Sequence, residues 1–113
     1  MTLETEQQQM LLLLGWLKLQ CGQPGQARTL LEALLYAHPD HRQGRRALVV
    51  ALLQMGEGAL AAQRCQALLA DGEREPAIWL CISRALQLEG RMEEARAAYQ
   101  RFLNRQVTHE TTL

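Results

Sequence analysis

The stretch WLCISRALQLEGRMEEARAAYQRF (79–102) decides the fold, because its pattern of small and apolar residues occurs three times in the chain. Gly22, Gly56 and Gly90 are evenly spaced along the sequence. Four further positions repeat at the same interval: Leu14, Leu48 and Ile82; Ala27, Ala61 and Ala95; Leu31, Cys65 and Tyr99; and Leu34, Leu68 and Phe102. Five registers that stay in phase across three copies indicate an internal repeat.

A period of about 34 residues with this arrangement resembles the tetratricopeptide repeat (TPR), in which each unit is a helix–turn–helix. The resemblance predicts an all-α fold of three tandem TPR units, about 8–41, 42–75 and 76–109. These are expected to form a short curved solenoid and a single domain over residues 1–113. Six helices are predicted over 6–21, 25–37, 42–55, 59–70, 76–89 and 93–106, and the tail 108–113 is predicted to be frayed.

The composition agrees with an all-α fold and argues against nucleic acid as the partner. The 113 residues include 12 Lys or Arg and 12 Asp or Glu, whereas a nucleic-acid-binding domain shows a clear basic excess. Good helix formers such as Ala, Leu, Gln, Glu and Arg dominate, and β-branched residues are scarce.

The small residues of the repeat have defined roles. Gly22, Gly56 and Gly90 are predicted to end the first helix of each unit in a left-handed conformation. The alanines at 27, 61 and 95 are predicted to let two helices approach closely, since a larger side chain would force them apart. Gly15 and Ser83 are predicted to do the same from the first helices of their units.

The run MLLLLGWLKL (10–19) is the most apolar part of the chain. A signal peptide needs a positive segment before its apolar run, and here the preceding residues are acidic and polar. A membrane-spanning helix needs about 20 apolar residues, and Lys18 and Gln20 interrupt this run. We therefore expect no membrane insertion, and a place for residues 10–19 in a folded cytoplasmic protein.

One side of the predicted stack forms a candidate protein-binding groove. In the TPR pattern, unit positions 5, 9 and 12 face the concave side. They are Leu12, Trp16 and Leu19; Arg46, Val50 and Leu53; and Leu80, Arg84 and Gln87. Most are large and apolar, which predicts an amphipathic helix or an extended segment as the ligand. Arg46 and Arg84 are predicted to pair with acidic residues or backbone carbonyls of that ligand.

A helix that is apolar on every side must be buried on every side, so we expect another chain, or a second copy, to cover the groove. The alternative is that Trp16 and its neighbours pack under the N-terminal leader or against the last helix. A groove that grips a terminal carboxylate is not expected, because Leu12 and Trp16 stand where such grooves carry Lys and Asn.

The sequence offers no arrangement typical of catalysis or of metal binding. HPDHRQGRR (38–46) has two histidines but lacks a third ligand nearby, and a solvated turn between units is the favoured interpretation. Cys21, Cys65 and Cys81 are widely spaced, which predicts free structural thiols in a reducing compartment. No nucleophile–base grouping, carboxylate pair or phosphate loop is present, so we expect no enzyme and no cofactor.

Three segments carry a closer resemblance: LLLLGWLKLQCG (11–22), HPDHRQGRR (38–46) and WLCISRALQLEGRMEEARAAYQ (79–100). They look like the YscY family, also called SctY, which are small TPR chaperones of bacterial type III secretion. The resemblance covers nearly the whole chain, with Trp16, Cys21 and Trp79-Leu80-Cys81 as its most specific signatures. Residues 57–75 match least well.

The resemblance implies a function in the bacterial cytoplasm without a cofactor or ATP. Members of the family bind the small secreted protein SctX, keep it competent for export, and engage the export gate SctV as a pair with it. Two alternatives stay open: a chaperone of another type III component such as the needle subunit, and a scaffold that self-associates through its apolar groove.

Overall fold

The computed structural model describes the backbone of residues 3–111 and the side chains of residues 3–106. In this part of the chain the secondary structure is helical, with no strand, which confirms the all-α repeat fold. The helices are α1 (Thr5–Gln20), α2 (Pro24–Ala37), α3 (Arg42–Gln54), α4 (Gly58–Ala70), α5 (Ala77–Leu88) and α6 (Met92–Thr111). Every predicted boundary but one lies within a residue of the observed boundary.

The exception is the end of the last helix. The sequence predicted that α6 ends at residue 106 and that the tail is frayed, whereas the helix continues to Thr111. Residues 92–111 contain neither Gly nor Pro, so no residue type in this segment stops a helix. The last two residues of the predicted tail, 112 and 113, lie outside the described part of the chain.

Left-handed glycines end the helices as predicted. Gly22, Gly56 and Gly90 have φ values of 72°, 77° and 77°, a conformation that costs glycine little because it lacks a Cβ atom. The backbone N–H of the residue after Gly22 donates to the carbonyl of Lys18 at 2.9 Å, which closes a Schellman turn. Gly72, with a φ of 87°, ends α4 in the same way but lies outside the regular spacing of the other three.

Contacts within the chain divide it into two compact units, Met1–Met55 and Gly56–Leu113. The first unit contains α1, α2 and α3, with α2 packed against both of the others. A Cβ atom on Gly15 would lie 2.9 Å from the Leu31 side chain, and one on Gly44 would lie 2.9 Å from that of Leu34. The absence of side chains at these two glycines therefore lets α1 and α3 approach α2 closely.

The second unit contains α4, α5 and α6, with α5 packed against both of the others. Ser83 on α5 is buried, and its hydroxyl donates to the carbonyl of Ala95 on α6 at 2.8 Å. A Cβ atom on Gly58 would lie 2.8 Å from the carbonyl oxygen of Ala85, so α4 and α5 also meet at a residue without a side chain. The single domain predicted over residues 1–113 stays a prediction.

Candidate protein-binding surface

Helix α1 presents apolar side chains to solvent. Met10, Leu13 and Leu17 have exposed fractions of 56%, 65% and 48%. Their spacing of three and four residues places them on one face of the helix, and Trp16, 37% exposed, borders that face. We call these four residues the α1 stripe. An apolar patch of this kind on a small protein is a candidate surface for contact with another molecule.

The opposite side of α1 belongs to the core of the first unit. Gly15 and Leu19 are buried, and Gly15 lies against Leu31 of α2. The polar residues Lys18 and Gln8 are partly buried between the two sides. The helix is therefore apolar both where it packs in its unit and where it meets solvent, as its sequence indicated.

The structure separates the predicted groove residues of the first unit by exposure. Leu12 is partly buried and Trp16 is exposed, but Leu19 is only 5% exposed and already lies in the core. The α3 residues Arg46, Val50 and Leu53 are partly buried. Arg46 also interacts with another group of the chain, so pairing with a ligand would compete with that interaction.

The predicted groove residues of the second unit lie on α5. Leu80 is partly buried, whereas Arg84 and Gln87 are exposed. Gln87 lines a shallow groove between α5 and α6 together with Met92 and Tyr99, which are 56% and 44% exposed.

The exposure of Met10, Leu13 and Leu17, and of Met92 and Tyr99, was not predicted from the sequence. The sequence of α1 did contain an indication of this surface. A helix that is apolar on every side leaves one apolar side exposed when its opposite side packs in the core. Positions taken from the general repeat pattern do not say which side that is.

Histidines that the sequence placed in a solvated turn have structural partners. The Nδ1 atom of His41 accepts a hydrogen bond from the backbone N–H of Gly44 at 3.0 Å and caps α3. The Nε2 atom of His38 lies 3.1 Å from the backbone nitrogen of Leu3, which ties the start of α1 to the end of α2. Among the described residues, no group of three His, Cys, Asp or Glu side chains could hold a metal ion.

The cysteines are free thiols, as predicted. Cys21 is exposed at the end of α1, while Cys65 is buried. Burial raises the pKa of Cys65 to about 12, with the nearby Cys81 adding to the shift. Burial also raises the pKa of Cys81, which Arg84 partly opposes. Since the thiolate is the reactive form, the raised pKa values of Cys65 and Cys81 lower the reactivity of both thiols at neutral pH.

The helices of the described chain differ from membrane spans. Between Leu3 and Thr111, each one is too short or too polar to cross a lipid bilayer.

Comparisons with known proteins agree with this architecture. The family model of the tetratricopeptide repeat matches residues 9–41, which cover most of α1 and all of α2. The chain is 47% identical over 102 residues to the chaperone protein YscY of Yersinia enterocolitica (serotype O:8 / biotype 1B, strain NCTC 13174 / 8081) and to that of Yersinia pestis. Each alignment covers 90% of this chain and 90% of the relative. Identity at this level over nearly the full length of both chains confirms the resemblance seen in the sequence, and the chain belongs to the YscY family.

Proposed function

We propose that the protein is a cytoplasmic chaperone of bacterial type III secretion that binds a small secreted protein of the SctX type. It shields apolar helix on that protein and helps to deliver it to the export gate SctV. The membership of the YscY family supports the chaperone function. The α1 stripe is the structural observation that carries the shielding mechanism, since it provides an apolar surface for the partner to cover.

The energetics of the stripe suit a binding surface. Full burial of a Leu or Met side chain contributes about 1.5–3 kcal/mol, and the stripe residues are about half exposed. Covering each one therefore contributes on the order of 1 kcal/mol. Trp16 is suited to the role of a hot spot, because its large ring is already held in part by the unit.

We include in the proposed contact surface the residues that repeat geometry assigns to the groove. They are Leu12, Trp16, Arg46, Val50 and Leu53 in the first unit, and Leu80, Arg84 and Gln87 in the second. Leu19, which repeat geometry also assigns to the groove, is left out because it is buried in the core of the first unit. Arg84 is exposed, which suits pairing with a carboxylate of the partner. The mechanism is binding without chemistry, and it requires no cofactor, metal or ATP.

The test is co-expression with the SctX-type protein of the same secretion operon, followed by size exclusion with light scattering. We expect a stable complex that keeps the partner soluble. A Leu13→Asp variant should lose the complex, because it places a charge in the apolar contact. Gln26→Asp is the matched control, since it adds the same charge at an exposed position of α2, away from the α1 stripe, and should keep the complex. Equal loss in both variants, or no complex with the unaltered chain, would refute the proposal.

The exposed stripe also favours one alternative, a scaffold that self-associates through α1. Light scattering of the purified chain alone, across a range of concentrations, separates the two functions. A monomer that gains mass when SctX is added supports the chaperone. An oligomer that dissociates on the Leu13→Asp substitution, and whose mass is unchanged when SctX is added, supports the scaffold.

A further inference from the structure

A tryptophan of the second unit lies beneath two arginines. The guanidinium carbons of Arg101 and Arg105 on α6 lie 4.8 Å and 5.6 Å from the ring centroid of Trp79 on α5. Both distances are inside the roughly 6 Å within which a cation is attracted to an aromatic face. Trp79 is partly buried, and both arginines are exposed. We call these three residues the Trp79 cluster.

The two arginines differ from those near the start of α6. Arg91 pairs with Glu94, and Arg96 pairs with Glu93 at 3.4 Å. By contrast, no carboxylate among the described side chains pairs with Arg101 or Arg105. The cluster therefore carries local positive charge in a chain whose formal net charge is zero. The two like charges lie one helical turn apart and repel each other.

The tryptophan prepares the two guanidinium groups for binding. A guanidinium attracted to an aromatic face still has N–H donors that can form a fork-like pair with a carboxylate. Contact with the ring also restricts the side chain before any ligand arrives, so less conformational entropy is lost on binding. Arginine and tryptophan are among the residues most enriched at the energetic centres of protein interfaces.

We propose that the Trp79 cluster is a docking site for an acidic peptide segment of a protein partner, with at least two carboxylates placed to meet Arg101 and Arg105. Charge complementarity identifies the occupant, since the cluster offers two cations and an aromatic face without an anion from the described side chains. Nucleic acid is disfavoured, because binding to its backbone takes a series of phosphate contacts and the chain has no basic excess. This inference does not rest on the proposed function, because Trp79, Arg101 and Arg105 are not among the residues assigned there to the contact with SctX, and the α1 stripe lies in the other unit.

The experiment is a titration of the full chain with the peptide Ac-EEEEEE-NH2 at low ionic strength, followed by NMR of the indole N–H groups. Trp16 serves as the internal reference for Trp79. The peptide Ac-QQQQQQ-NH2, inorganic phosphate and a single-stranded thymidine oligonucleotide are titrated in the same way. We expect a saturable shift of the Trp79 signal with the glutamate peptide alone, and an unchanged Trp16 signal.

The decisive variant is Arg101→Gln with Arg105→Gln, for which affinity should fall at least about tenfold because two charge-assisted contacts are lost. The matched control, Arg91→Gln with Arg96→Gln, removes the same charge from the start of α6 and its vicinity and should bind within about threefold of the original chain. Circular dichroism checks that both variants keep their helices. Equal weakening in the two variants, no shift at Trp79, or tighter binding of the oligonucleotide would each overturn the proposal. SctX co-purification by the same variants is a separate readout, so failure here leaves the test at Leu13 intact.

Discussion

At the scale of single residues, small side chains set the distance between helices. Ser83 is the clearest case, because it is 1% exposed and satisfies its hydroxyl on a backbone carbonyl of the neighbouring helix. The position therefore requires a side chain that is small and also able to donate a hydrogen bond. Gly15, Gly44 and Gly58 meet the first requirement alone, at three other helix contacts.

Substitution of Ser83 should separate these two requirements. Ser83→Ala removes the hydrogen bond to Ala95 and should lower the free energy of unfolding by about 1 kcal/mol. Ser83→Leu also overpacks the contact between α5 and α6 and should cost a further 1–3 kcal/mol or so. Urea denaturation followed by circular dichroism measures both changes. Equal stability in the two variants would show that α6 moves away from α5 at little cost.

Glycine substitutions test the left-handed helix ends. Gly90→Ala should lower the free energy of unfolding by about 1–2 kcal/mol, because a Cβ atom is disfavoured at a φ of 77°. Gly25→Ala is the control, since it lies in the first turn of α2 with nothing within 4 Å of the added atom. That control should keep its stability or gain at most about 0.5–1 kcal/mol from helix propensity. A Gly90→Ala variant as stable as the original would contradict the role assigned to this turn.

At the scale of the helix, particular residues determine where each helix begins and ends. Left-handed glycines follow α1, α3, α4 and α5, and Pro24 begins α2 where its missing N–H costs nothing. Helix α3 begins at a histidine cap, in which a ring nitrogen accepts the hydrogen bond that Ser, Asp or Asn usually accepts.

Removal of that cap should destabilise the chain. His41→Ala leaves the N–H of Gly44 without its acceptor and should cost about 1 kcal/mol, whereas His41→Asp should preserve stability by supplying a carboxylate. Thermal melting at neutral pH compares the three proteins. If His41→Ala and His41→Asp melt together below the original chain, the loss comes from ring packing and the cap is unimportant.

At the scale of the whole molecule, the sequence predicted the fold better than the surface. The regular spacing of Gly22, Gly56 and Gly90 located five of the six helices to within a residue. The left-handed turn at Gly72 was not predicted, because it has no counterpart at the same position of the other repeats. Surface assignments depended on which side of an all-apolar helix faces the core, and periodicity carries no such information for α1. The Trp79 cluster was not predicted either, since it forms only where α5 and α6 pack together.

The rate at which each cysteine is alkylated reports whether the part of the chain around it is folded. Iodoacetamide at pH 8 should modify Cys21 first and should reach Cys65 only after unfolding, as mass spectrometry of timed samples would record.

The unfolded Cys65 thiol ionises near its ordinary pKa of 9.0, whereas the folded thiol stays protonated to about 12. Stability from this group is therefore complete below pH 9 and falls as the pH rises from about 9 to 12.

A Cys65→Ala variant isolates this effect from other groups that titrate at high pH. The gap in urea midpoint between the original chain and the variant should narrow between pH 8 and pH 10.5. A constant gap would mean that the thiol reaches solvent in the folded state.

The hydrogen bond between Leu3 and His38 bears on the order in which the chain folds during synthesis. It joins residues 35 apart and closes the helical hairpin of α1 and α2 at its open end. Both partners are synthesised before any residue of the second unit is made. The first repeat can therefore close on itself while the last repeat is still being translated.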